Sequence, residues 1–139
     1  MDIIDTLNIS GSGLSAQRVR LQAVSSNMAN ARTTRTEEGG PYQRRMPVFE
    51  TESLDRFGSE LQRKLGSVEV TEVRTLNDVE RVFDPTHPDA DEDGFVAYPA
   101  INILEEMVDL MTTARTYEAN LKVLSTTQQM ANQAIELGR

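Results

Sequence analysis

The sequence predicts a mainly α chain with a small β-containing insert, its N- and C-terminal helices paired as a coiled coil and its middle segment made of short strands and loops. Three observations predict it. Met107, Leu110, Ala114, Tyr117, Leu121, Leu124, Gln128, Ala131 and Ile135 recur at spacings of three and four, the rhythm of a helical seam. Leu7, Leu14, Leu21 and Met28 recur every seven residues, with Ile3, Val24 and Ala31 filling part of a second seam position. Between the stripes, from Thr33 to Pro99, composition shifts toward Glu, Gly, Pro and Thr and the helical period is lost. The expected organisation is a discontinuous helical domain, residues 1–32 and 101–139, enclosing a β-containing segment over 33–100.

The first helix is expected from Ile3 to about Arg32, most clearly over Ser15–Val24. Ser10-Gly11-Ser12-Gly13 weakens it, because an interior Gly costs about 1 kcal/mol relative to Ala, so the helix should depend on packing against neighbours. Glu38-Gly39-Gly40-Pro41 marks a turn. Tyr42–Met46 and Pro47–Glu50 then read as short extended pieces separated at the proline. Leu54, Phe57, Leu61 and Leu65 predict a short amphipathic helix, which Gly58 weakens. Val68 and Val70 alternate with polar neighbours, Val82-Phe83 lies just before Asp84-Pro85, and both stretches read as strands.

The last helix is expected from about Ile101 to Leu137. Pro99 stands before it, Asn102 is a suitable N-cap, and Glu105 and Glu106 sit in the first turn, where the helix dipole favours acids. Gly138 and Arg139 end it. At about 1.5 Å per residue such a rod is about 50 Å long, wider than a small globule.

Composition narrows the classes of function. With 139 residues, 38% hydrophobic, 5% aromatic and no Trp, the chain has material for only a modest core. An antiparallel hairpin inside an ordinary monomer would explain matching seams as well as oligomer packing does. Additional apolar positions favour packing between subunits: Ile4, Ile9 and Val19 lie off the first seam, and Ile103, Leu104, Val108, Met111, Val123 and Met130 lie off the second. A helix apolar on more than one side is surrounded. The net charge of −8 argues against nucleic acid, whose recognition needs clustered cations, and Arg44-Arg45 reads as a solvated loop. The absence of Cys excludes disulfides and thiolate chemistry. Met1–Asp5 has no basic n-region, no apolar h-region follows, and no run approaches membrane-spanning length, so any export is expected to cleave no signal.

Chemical motifs are few. Asp89-Ala90-Asp91-Glu92-Asp93-Gly94 copies the start of an EF-hand loop, and Val96 falls where that loop places an aliphatic residue. The twelfth position is Ala100, however, where bidentate calcium binding needs Glu, and Asp84-Pro85-Thr86-His87-Pro88 leaves no entering helix. An acidic surface turn is the better reading. His87, the single histidine, reads as a turn residue, since zinc sites and catalytic triads require partners the chain lacks. Glu105 and Glu106 diverge around the helix axis and form no carboxylate dyad. Gly11-Ser12-Gly13 lacks the third glycine and the preceding strand of a phosphate loop. No enzyme, metal or cofactor function is expected.

Ser26-Asn27-Met28-Ala29-Asn30, closing the first helix and followed by Thr33 and Thr34, resembles the S-N-x-A-N signature of bacterial flagellar axial proteins. Tyr42–Arg45, Asp84–Asp91, Gly94-Phe95-Val96, Glu106–Asp109 and Ala114–Asn120 narrow the likeness to the proximal rod family of that group, over nearly the whole chain. Glu52–Leu65 matches no family motif, and Pro99-Ala100-Ile101-Asn102 has Ala where the family commonly has Asn.

The resemblance implies a structural subunit of the flagellar rod that transmits torque from motor to hook. It implies helical assembly with other rod subunits and with copies of itself, and export through the flagellar type III apparatus. Leu7, Leu14, Leu21, Val24 and Met28, with Met107, Leu110, Tyr117, Asn120, Leu121, Leu124 and Ile135, are the expected packed face. Asn27 and Asn30 are expected to satisfy backbone or neighbouring-subunit polar groups where the helix ends. Another rod subunit and, from a different class, a small acidic calcium-binding module are the competing readings.

Overall fold

The computed structural model describes residues 3–53 and 66–137. The element order is α1 (Ile3–Ala29), β1 (Arg44–Ser53), β2 (Gly66–Leu76), β3 (Val79–Phe83), β4 (Phe95–Pro99) and α2 (Ile103–Leu137). This is the expected frame, two long helices around an insert of short antiparallel strands. The amphipathic helix expected at Leu54–Leu65 lies outside the described residues.

α1 runs without a break through Ser10–Gly13. Tertiary partners offset the poor local propensity: Ser12 Oγ donates to the Ile9 carbonyl at 2.9 Å and accepts the Val68 N–H at 3.1 Å, and a Cβ on Gly13 would stand 3.3 Å from Asn120 Nδ2. Gly13 is thus a point where an α2 side chain stands close to the α1 backbone. α2 starts as its sequence requires, with the Leu104 N–H donating to Asn102 Oδ1 at 3.0 Å and Asn102 Nδ2 reaching Glu105 Oε1 at 3.1 Å. The two helices pack together, and α1 also packs against both strands of the first ribbon. Gly13 lies opposite Asn120, Arg20 pairs with Asp109 and Asn27 bonds Glu106, so the helices are antiparallel.

β1 and β2 pair antiparallel from Arg44↔Leu76 to Ser53↔Gly66, with a bulge where Val48 faces Glu72 and Phe49 faces Val70. The expected break at Pro47 does not occur, and β1 is continuous across it. A two-stranded ribbon has only edge strands, so a proline can turn its missing donor outward. β3 and β4 form a second ribbon, from Val79↔Pro99 to Phe83↔Phe95. The inner face of that ribbon carries Val96, which is fully buried. No described helix is long and apolar enough to cross a membrane.

Candidate functional site: a polar junction and an open apolar groove

The end of α1 is a junction built from side chains of three elements. Asn27, 2% exposed, spends its whole amide. Its Oδ1 accepts the Arg45 N–H at 2.8 Å and the Tyr42 hydroxyl at 3.2 Å, while its Nδ2 donates to the Arg45 carbonyl at 2.9 Å and to Glu106 Oε2 at 3.2 Å. A side-chain amide that pairs with both backbone groups of one strand residue holds that strand in a single register. Glu106, 1% exposed, is neutralised by Arg44, whose Nε donates at 2.8 Å to Oε1. Asn30 Nδ2 caps the Ser26 carbonyl at 2.9 Å, its Oδ1 accepts the Thr33 hydroxyl at 3.1 Å, and Ser26 Oγ lies 3.0 Å from the Tyr42 hydroxyl. Asn27 and Asn30 therefore satisfy backbone groups of their own chain.

The helix seam differs from the sequence reading in one column. Leu110, Tyr117, Leu124 and Ala131 are half-buried along it. The second column toward α1 is Glu106, Thr113, Asn120 and Thr127, whereas Met107, Leu121 and Ile135 are exposed. The reason is the surface that α1 presents. Buried Ala16 and Ala23, with Gly13, let α2 approach too closely for Met or Leu, and Arg44 and Asn27 draw Glu106 inward. The arrangement has a cost, because Thr113 Oγ1 and Gln17 Oε1 are buried in this region with no hydrogen-bond partner. Arg20 offsets part of it from the seam's edge, donating from Nε to Asp109 Oδ2 at 3.1 Å.

The two predicted stripes nonetheless fall on the same side of the helix pair. A helix turns about 100° per residue, so the column Leu14, Leu21, Met28 lies about a quarter turn to one side of Gly13, Arg20 and Asn27, which face α2. Ser12 and Ser26 lie a similar angle to the other side, and both bond the first ribbon or its approach. On α2, Met107, Ala114 and Leu121 likewise follow Glu106, Thr113 and Asn120 by one residue. In antiparallel helices such columns fall on the same side of the pair. Leu7, Leu14, Leu21 and Met28, all half-buried, therefore form one wall of a groove and Met107, Leu121 and Ile135 the other, with Leu110, Tyr117 and Leu124 at its floor. The strands cover the opposite side. Val24 and Asn27, by contrast, are already buried within the chain, and Asn30 and Asn120 are half-buried.

The acidic loop does not gather its carboxylates. Asp89 accepts the Thr34 hydroxyl at 2.8 Å and lies 3.8 Å from Arg35, whereas Asp91 turns to Arg81 and to its own loop. Among the described residues no group of three or more His, Asp or Glu side chains is placed to hold a metal ion. The Phe95 N–H, chiefly, with Arg81 and the Asp93 N–H, holds the Asp91 carboxyl below its ordinary range. The Thr86 hydroxyl and N–H do the same for Asp84. His87 is a turn residue, its Nδ1 accepting the Asp89 N–H at 3.1 Å and its ring edge-on to Tyr98.

Reading the sequence by hydropathy missed Glu106 as an interior residue, and with it Arg44 and Tyr42. A signal for it existed in the spacing of Glu106, Thr113, Asn120 and Thr127, a polar heptad column alongside the apolar one.

Comparison with known proteins gives a uniform result. Residues 7–35 match the family described as flagella basal body rod protein, and residues 92–137 match the flagellar basal body rod FlgEFG protein C-terminal family. The flagellar basal-body rod protein FlgC of Aquifex aeolicus is 40% identical, with 98% of this chain and 97% of the relative aligned. The FlgC of Bacillus subtilis is 38% identical and that of Salmonella typhimurium 33%, each aligned over the whole of both chains.

Proposed function

Since this chain belongs to the FlgC family of flagellar basal-body rod proteins, and is a structural subunit of the flagellar rod, we propose that it transmits torque through its open helical groove. Helices of other rod subunits and of further copies of the chain fill that groove. The family is a structural one and is not a known enzyme family, which agrees with a chain whose described polar clusters serve folding. Its place is the flagellar basal body. On this reading it sits in the proximal rod, crosses the periplasm with its neighbours, and reaches that position through the flagellar type III apparatus without signal cleavage.

One observation carries the reading. The two stripes that the sequence sets far apart lie on the same side of the helix pair, opposite the described strands, where a third helix would complete a three-helix contact. Heterologous contacts of this kind, repeated without closing into a ring, generate a helical filament able to carry load along its axis. The supporting fact is exposure: Leu121 and Met107 remain 43% and 45% exposed in their own chain, and a neighbour would desolvate that remainder.

Leu121→Asp tests it. Because Leu121 is substantially exposed in the single chain, the variant should keep its far-UV circular dichroism and thermal midpoint. In a rod it buries a charge in an apolar seam, so cells should lack completed rods and motility. Motile cells with normal rods would refute the groove as the load-bearing contact.

A further inference from the structure

The strand edges of the two ribbons are not treated alike. On β1, the Asn27 amide takes both backbone groups of Arg45, and Pro47, the next residue to face outward, has no N–H to offer. On β4, Phe95 donates its N–H to Asp91 Oδ1 and accepts the Asp91 N–H on its carbonyl, each at 2.8 Å, while the Pro99 carbonyl accepts the Ile101 N–H at 2.8 Å. Each of these edges carries a block to a further strand. β3 carries none. Its ladder with β4 is bounded by the Asp84 N–H donating to the Gly94 carbonyl and the Ala100 N–H donating to the Asp78 carbonyl, each at 2.9 Å. Bonded pairs alternate with non-bonded ones in an antiparallel ladder, so the N–H and C=O groups of Val79, Arg81 and Phe83 point away from β4. None of these groups bonds another described residue, and all five residues of β3 are exposed.

The side chains beside this edge have a definite chemistry. Glu80 and Val82, with Asp78 and Asp84 in phase, share the face of β3 that borders a cleft of about 450 Å³. Leu104 lines the cleft from the start of α2, and it and Val82 are 72% and 42% exposed. Between Leu76 and Phe95 seven acidic side chains stand against one cation, Arg81, which is already paired with Asp91. This ribbon and its loop therefore hold most of the chain's net charge of −8. A second copy of β3 fits the edge poorly, because antiparallel pairing centred on Arg81 sets Arg81 opposite Arg81 and Asp78 opposite Asp84, and like charges directly opposite are destabilising. The charges that guard β3 against its own copies favour a basic partner.

We propose that the free edge of β3 takes up, by strand addition, an extended basic segment of a different protein. Backbone bonds to Val79, Arg81 and Phe83 supply the binding, and cations opposite Asp78, Glu80 and Asp84, with an apolar residue opposite Val82, supply the selectivity. The contact is separate from the helical groove and does not depend on it.

The test follows amide exchange by NMR in the full chain, with a capped peptide Lys-Thr-Val-Thr-Lys-Thr-Lys at millimolar concentration as the probe. Run antiparallel to β3, it sets its lysines opposite Asp84, Glu80 and Asp78 and its valine opposite Val82. The Val79, Arg81 and Phe83 amides should gain protection, whereas those of Val82 and Asp84, already bonded to β4, should change little. The same peptide methylated on every backbone nitrogen keeps its charge but cannot donate to the edge, and should protect none of them. A peptide with glutamate in place of each lysine should not bind. Arg81→Pro removes an outward N–H without breaking the ladder, and should abolish the protection at Val79 and Phe83. Glu80→Lys changes an exposed side chain, leaves the backbone edge intact, and should weaken the basic peptide about fivefold. Lack of protection by the basic peptide, or equal binding of its methylated or acidic counterpart, overturns the proposal. Protection that rises with the protein's own concentration, without peptide, assigns the edge to a second copy and overturns it too.

Discussion

The two ends of the helix pair are folded by opposite means. At the Asn27 end the buried groups are polar, and all four bonds of the Asn27 amide are made within the chain. At the Leu137 end the uncovered groups are apolar, and Met130, Ile135 and Leu137 face solvent. A buried polar cluster gains nothing from a neighbour, because its groups are already satisfied, whereas exposed methyl and methylene groups gain from any surface that excludes water. The junction is complete within the subunit, whereas the Leu137 end of α2 is where apolar groups have most left to gain from a covering surface.

The sharpest way to break that contrast is at Glu106. Arg44→Met removes the cation from a carboxylate that is nearly inaccessible to water, and leaving such a group unpaired costs about 3 kcal/mol. The variant should therefore lose most of its stability in urea titration, with the first ribbon losing amide protection before α2 does. Replacing both partners, Arg44→Met with Glu106→Leu, should recover most of the loss, since the unpaired charge is then gone. If the single variant is as stable as wild type, the junction does not hold the subunit together and the contrast between the ends fails.

A smaller effect distinguishes glycines that the fold needs from one it merely tolerates. Gly94 has φ +80°, and a Cβ there would meet Phe83 Cε2 at 3.0 Å and Pro85 Cβ at 3.2 Å. Gly94→Ala should cost about 2 kcal/mol and loosen the β3–β4 ribbon, read as lost protection of the Asp84 and Phe95 amides. Gly11 lies in the middle of α1 with nothing within 4 Å of its virtual Cβ. There alanine should raise stability by about 1 kcal/mol through helix propensity alone. Equal responses at the two sites would mean that the ribbon is not part of the self-sufficient end.

How much of this was legible depended on the range of the interaction. The extents of both helices, the Asn102 cap and the β2 and β3 strands follow from propensity and period, which are local, and they stand where the sequence places them. The stripes were legible as apolar columns, but not their relation, because placing them on one side of the pair needs the direction and level at which α1 meets α2. Glu106 was read as a first-turn acid suited to the helix dipole. Its burial is set by Arg44, 62 residues earlier, a contact that no local pattern announces. Pro47 was read as a break because a ribbon lacking a third strand was not anticipated.

The smallest expected effect concerns the loop between β3 and β4, which ties the second ribbon to the junction through Asp89 and Thr34. Asp84 and Asp91 are held below the ordinary carboxylate value of 3.8, the first chiefly by the Thr86 hydroxyl and the second chiefly by the Phe95 N–H. A depressed folded-state pKa means that the unfolded chain takes up protons first on acidification. The stabilisation from these two groups is therefore complete above about pH 4 and is lost as pH falls through the lower folded values. Both carboxyls are solvent-exposed, so the change should be local rather than a global unfolding. It should appear as movement of the Thr86 and Phe95 amide resonances below about pH 4. Asp91→Asn should abolish the response at Phe95 and spare that at Thr86. A Phe95 amide indifferent to acid would show that its bond to Asp91 does not shape the loop, leaving the Gly94 turn and the Phe83–Phe95 ring contact to do so.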